Sequence, residues 1–167
     1  MTVKKLASLA AVAAGALALG AVFGQAGSSR AATPAPTGCP AGTGAVQVSD
    51  LSPPARLMIQ QQGSTPSVVT PSTSSVQLHF LVTACNGRPV QGADLFAVSI
   101  PYNEFTSQHG TTAADGTVTL TESELSGFPA SRRQELLAVL ARATKPGDQL
   151  LGGVSSRRVV SFPVSLG

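Results

Sequence analysis

The sequence predicts an all-β antiparallel sandwich of about seven strands, and three observations predict it. From Ala45 onward, short runs rich in Val, Leu, Thr and Phe are punctuated by Gly, Pro, Asn and Asp, the pattern of turn-bounded strands. Within Val76 to Ala84 the side chains alternate: Val76, Leu78, Phe80 and Val82 share one face, and Gln77, His79, Leu81 and Thr83 the other. A period of two belongs to a half-buried strand, so the Val76 set faces the core. About 135 residues follow the N-terminal leader, enough to bury one core without a metal to organise it.

The chain starts with an export signal. Lys4 and Lys5 precede Leu6 to Phe23, a tract without charge, and small residues follow at Ala26 and at Ala31-Ala32. This is the order of a secretory signal peptide over residues 1–32, cleaved between about 26 and 32. The alternative is a retained anchor, because about 18 apolar residues approach the minimum for crossing a bilayer. Its alanines and glycines make the tract weakly hydrophobic, and a Thr/Pro/Ala/Gly spacer follows it, which favours removal. Removing Lys4, Lys5 and Arg30 from the eleven basic residues leaves eight, against eight acidic ones. The precursor's pI near 9.3 therefore does not describe the mature chain, and a nearly neutral protein lacks the basic face that nucleic-acid binding needs.

Residues 33–44 have no periodicity and read as a flexible leader, with the sandwich occupying 45–167. Export puts Cys39 and Cys85 in an oxidising compartment, where their single possible pairing is a structural disulfide. The predicted strands are Ala45 to Ser49, Arg56 to Gln60, Val76 to Ala84, Ala93 to Ile100, Gly116 to Thr121 and Val159 to Val164. Asp115-Gly116 supplies a turn that accepts positive φ, predicting a hairpin between Thr111-Thr112 and Thr117 to Leu120. Ser131 to Ala143 reads either as a helix capped by Ser131 or as a strand. The surrounding β pattern favours a short helical turn at Ser131 to Glu135 followed by a strand from Leu136 to Ala143.

Gly87-Arg88-Pro89-Val90-Gln91-Gly92-Ala93, followed by Thr112-Ala113-Ala114-Asp115-Gly116-Thr117-Val118-Thr119-Leu120, resembles the repeat unit of bacterial Ig-like domains. Similar strings occur in transthyretin-like and carboxypeptidase-regulatory-like modules. The resemblance implies that the first string turns into a strand, that the second is a hairpin, and that Leu140-Ala141-Arg142-Ala143 is the closing strand. It implies a spacer, adhesin or accessory role and no particular chemistry. The internal Lys-to-Asn bond of some such domains needs an early lysine, whereas Lys145 is the only lysine after the leader.

Residues suited to catalysis are few. His79, His109 and Tyr102 are the candidates for acid-base or metal work, yet no HxH or HxxxH spacing pairs two ligands. His79 is expected on the outer face of its strand and His109 in a loop. Asp50, Asp94, Asp115 and Asp148 do not form a calcium loop, there is no GxSxG elbow, and Glu122 and Glu124 read as solvated charges beside a hairpin rather than a glycosidase pair. No catalytic residue, metal or cofactor is assigned. With no tryptophan in the chain, the candidate contact surface is the aromatic pair Tyr102 and Phe105, joined by Arg157 and Arg158, which follow the glycines at 152–153. The expectation is a secreted or cell-surface, non-enzymatic domain that binds a protein or a cell-wall polymer. The alternative is a small metal-dependent enzyme built on His79, His109 and Tyr102, or an accessory domain of a separate enzyme.

Overall fold

A computed structural model describes residues 34–100, 104–125, 136–149 and 152–165. The signal segment, Tyr102 and the helical turn expected at Ser131 to Glu135 lie outside the described residues. The elements in order are β1 (Val46–Gln47), a 3₁₀ turn (Val48–Asp50), β2 (Met58–Thr65), β3 (Ser75–Ala84), β4 (Arg88–Gln91), β5 (Asp94–Ile100), β6 (Gln108–Thr111), β7 (Thr117–Ser123), β8 (Leu136–Thr144) and β9 (Ser156–Pro163). They make two packed sheets, a β-sandwich. One has the order β1-β4-β3-β2, with β7 also on β3, and the other the order β6-β5-β8-β9. Every pairing is antiparallel except the short β1–β4 contact.

Alternation builds the core. Val76, Leu78, Phe80 and Val82 of β3 are all at most 1% exposed, as their period predicts. Across the interior, β5 contributes Leu95 and Ala97, β8 contributes Leu137, Val139, Ala141 and Ala143, and β9 contributes Val160 and Phe162. Each large side chain buried in this way favours folding by about 1.5–3 kcal/mol.

The Asp115-Gly116 turn forms, but not as a hairpin. Ala113 N–H bonds the Thr117 carbonyl, and Thr117 N–H and Oγ1 both donate to Asp115 Oδ1 at 2.9 and 2.7 Å. The strands on either side then part, because β6 pairs with β5 in one sheet and β7 with β3 in the other. The turn thus carries the chain between layers. Gly116, at φ 77°, has no room for a side chain, since a Cβ would sit 2.6 Å from the Val82 carbonyl oxygen. Gly110 is needed for a different reason: a Cβ there would meet the Leu120 and Val118 side chains at 2.7 and 2.8 Å, so β6 crosses β7 only without one.

The opposite side of the sandwich is closed by side chains. Arg158 Nη1 donates to the Ile59 carbonyl at 2.7 Å and Gln61 Nε2 to the Ser161 carbonyl at 3.0 Å, tying β9 to β2. Val69 extends the seam by exchanging backbone hydrogen bonds with Pro163 and Ser165. Residues 34–44, read from sequence as a flexible leader, belong to the same compact unit as the sandwich. Their hold comes from the Cys39–Cys85 disulfide, with Cα atoms 5.8 Å apart, from Arg88, which donates at 2.7 Å to the carbonyls of both Pro40 and Gly44, and from Ser52 N–H on the Gly38 carbonyl.

Candidate binding face

The residues singled out for chemistry do not converge. His79 lies on the outer face of the five-stranded sheet, between the hydroxyls of Thr65 and Thr119, each 3.0 Å from a ring nitrogen. His109 lies on the outer face of the other sheet, in β6 rather than in a loop. Its ring centroid is 4.7 Å from that of Phe96, and its Nδ1 is 4.0 Å from Asp94 Oδ1. The two histidines therefore stand on opposite sides of the molecule. Among the described residues no three His, Cys, Asp or Glu side chains gather as a metal site. Asp115 is held below its usual pKa by the hydrogen bonds from Thr117, chiefly that from its hydroxyl, in keeping with its turn.

The contact residues separate as well. Phe105 is 0% exposed and packs in the core, with its N–H donating to Ser99 Oγ at 3.1 Å and a β-bridge to Glu124. It closes the end of the sandwich and offers no surface. Arg158 is committed to the β2–β9 seam. Arg157 is exposed on the outer face of β9.

What the geometry does bring together is a row that the sequence did not reveal. Across the four-stranded sheet the register aligns His109 with Phe96, Phe96 with Arg142, and Arg142 with Arg157. The Arg142 guanidinium carbon lies 5.1 Å from the Phe96 ring centroid, a cation–π distance, and its Nε is buried with no hydrogen-bond partner among the described residues. Beside this cationic row the same register places Val98, Leu140 and Val159, then Ile100, Ala138 and Ser161, then Leu136 and Pro163. Three of these are large and open to solvent: Val159 at 60%, Leu136 at 45% and Ile100 at 37%. The outer face of the other sheet differs, for β3 and β7 present Gln77, His79, Thr117, Thr119, Thr121 and Ser123 there. One face is mainly polar, with Leu81 and the exposed Met58 as its apolar members, and the other is mainly apolar with a cationic border.

The apolar face does have a sequence signal. In Leu136 to Ala143 both phases are apolar: Leu137, Val139 and Ala141 on one, Leu136, Ala138 and Leu140 on the other. A strand needs only one apolar phase to line a two-layer core, so the second phase places apolar side chains on the outer face.

Glu122 corrects the sequence reading. Expected in solvent with Glu124, it is 0% exposed, because the alternation of Val118 and Leu120 carries it to the inner face of β7, where it aligns with Val76. Neither of its carboxyl oxygens has a hydrogen-bond partner among the described residues, and burial pushes its pKa from 4.5 up to about 7. Glu124, one residue beyond the strand's partner, is exposed.

Comparison of the chain with family models, with curated proteins and with solved structures returns no match.

Proposed function

We propose that this protein is an exported, non-catalytic binding domain of Ig-like sandwich type. Its contact surface is the outer face of the β6-β5-β8-β9 sheet, and its partner is a protein segment that presents carboxylates beside apolar side chains. The observation that carries the reading is the contrast between the two sheet faces. A contiguous exposed apolar patch marks an interaction site, and Val159, Leu136 and Ile100 group on one sheet face beside Arg142 and Arg157. Among the described residues the carboxylate of the cationic half is Asp94, which lies next to His109, so a partner that supplies carboxylates complements this row.

Several observations support the rest. The charged start, apolar tract and small-residue cleavage region of the sequence support export, and the disulfide suits an oxidising compartment. Two packed antiparallel sheets with a crossover at Asp115-Gly116 support the Ig-like assignment. The separation of His79 from His109 and the burial of Phe105 leave the sheet face as the best-developed surface among the described residues.

The test is capture from an envelope extract by immobilised mature protein, followed by affinity measurement with the partner obtained. Val159→Asp and Arg157→Glu are expected to weaken binding at least about tenfold each, a loss of about 1.4 kcal/mol. Thr119→Asp, on the polar face, should leave it intact. Binding that follows Thr119 instead refutes the assignment of the face. Binding of an anionic wall polymer that ignores Val159 refutes the protein partner.

A further inference from the structure

We propose that Glu122 is a proton-dependent latch: its carboxyl holds the C-terminal half of β7 and the Phe105 corner in the core only while protonated, so this end of the sandwich loosens when the surroundings pass from acidic to neutral. This goes beyond the binding reading and does not depend on it.

Val118, Leu120 and Glu122 are successive inward residues of one strand, opposite Phe80, Leu78 and Val76 of β3. The first two meet apolar neighbours as apolar side chains, but Glu122 brings a carboxyl to the same layer. It is fully buried and neither oxygen is hydrogen-bonded among the described residues. An unpaired buried carboxylate bears a desolvation cost far above that of the neutral acid, so the folded state favours the protonated form.

Among the described residues, the surrounding charges do not relieve this. The residues of β3 on that face, Val76, Leu78 and Phe80, carry no titratable group, and His79 projects from the other face, where it bonds Thr65 and Thr119. The inward residues of β5, β8 and β9 include Leu95, Ala97, Ser99, Leu137, Val139, Ala141, Ala143, Val160 and Phe162, none of them titratable; Arg158, on the same side of β9, donates instead to the Ile59 carbonyl of β2. His109 and Asp94 stand on the outer face of the second sheet, and Gly110 is the β6 residue that meets β7. On the segment that closes this end, Glu104 is the other buried carboxyl, 3% exposed. Glu124 follows on the chain. Both have the same sign as Glu122 and cannot neutralise it.

The strand is also placed to yield. Pairing ties β7 to β3 along one edge. Beyond that pairing, the bonds among the described residues at its C-terminal end run to connecting segments: Thr106 N–H to the Ser123 carbonyl, Ser123 N–H to Thr106 Oγ1, Glu124 N–H to the Ser74 carbonyl and Leu125 N–H to the Glu104 carbonyl. Phe105 sits between two of these contacts. An ionised Glu122 reaches water once they part.

The direction with pH follows from linkage. Between the ordinary value of 4.5 and the folded value of about 7 the closed state binds more protons than the open one, so closure weakens as pH rises. It is strongest below about 4.5 and fully weakened above about 7. The equilibrium constant for opening should rise by up to tenfold per pH unit in that window, about three-hundredfold in all.

Hydrogen exchange of the full mature chain, read by mass spectrometry from pH 4.5 to 8.5 and corrected for the intrinsic rate, tests this. Peptides covering Thr117–Ser123 should lose protection across the window in the wild type and in Glu124→Gln, but not in Glu122→Gln, while those of β8 change little. A flat wild-type profile, or an equal loss in all three proteins, overturns the proposal. Should Glu122→Gln fail to fold, carbon-13 titration of the Glu122 carboxyl in the wild type decides: a midpoint near 7 supports the latch and one near 4.5 overturns it.

Discussion

Replacing both cysteines, Cys39→Ser with Cys85→Ser, should cost about 4 kcal/mol of stability. The pair closes a loop with a sequence separation of 46, and the chain-entropy relation gives about 13 cal/mol/K for a loop of that length, or about 4 kcal/mol at 25 °C. The folded side of the balance should change little. Without the bridge, residues 36–44 keep two hydrogen bonds from Arg88 and one from Ser52, and the sheets keep their core. Equilibrium unfolding of the mature protein in urea measures the effect. With a slope of about 2 kcal/mol/M for a chain of this size, the midpoint should fall by about 2 M. Each single substitution should cost about as much as the pair, because each breaks the same bond. A loss below about 1 kcal/mol would show that the unfolded chain is already constrained near Cys39, and the entropic reasoning would fail.

Two further substitutions probe the closures of the sandwich. Gly110→Val places methyl groups where a Cβ alone already approaches Leu120 and Val118 within 2.8 Å, so thermal unfolding should show a loss of about 1–3 kcal/mol; an unchanged midpoint would mean that β6 does not cross β7 so closely. Arg158→Ala should cost about 1 kcal/mol by removing the bond to Ile59, whereas Arg157→Ala should leave urea unfolding unaffected and weaken partner binding. The reverse assignment of the two arginines would contradict the seam.

How far the fold was legible depends on how local its cause is. The alternation of Val76 to Val82 fixes which side of β3 is buried, and the structure agrees at each position. The Asp115-Gly116 turn was legible because its bonds are made within five residues. What that turn joins was not, since pairing β6 with β5 and β7 with β3 depends on the crossing that Gly110 permits, a contact between distant side chains. β4, at Arg88–Gln91, was too short and too polar to stand out from its turn. Glu122 was missed because a carboxylate two residues past Leu120 suggests the end of a strand, although the period of two already pointed it inward. The row from His109 to Arg157 draws on four residues in four strands, and only the register aligns them. Arg157 and Arg158 were visible as a pair, but adjacent strand residues face opposite ways, which divides them between a surface and a seam.

The same logic connects the two ends of the long central strand. β3 runs for ten residues from Ser75 to Ala84, about 30 Å at the usual rise. Just past its C-terminal end Cys85 is cross-linked, and Arg88 fastens the leader nearby. At its N-terminal end Val76 faces Glu122. The exposed sheet face follows this axis. Asp94 adjoins Ala93, whose N–H bonds Thr112 Oγ1, which in turn bonds the Val90 carbonyl of β4, so the cationic row built on Phe96 and Arg142 lies toward the cross-linked end. Ile100 follows Ser99, which holds Phe105, so the apolar row of Ile100 and Ala138 lies toward Glu122. A partner covering the whole face would then rest its carboxylates on the fixed end and its apolar side chains on the end that the Glu122 proton controls. Anything that bound only the closed form would oppose opening, and its affinity would fall over the same pH window in which β7 loosens. Glu122→Gln should remove that dependence while leaving the contact residues in place.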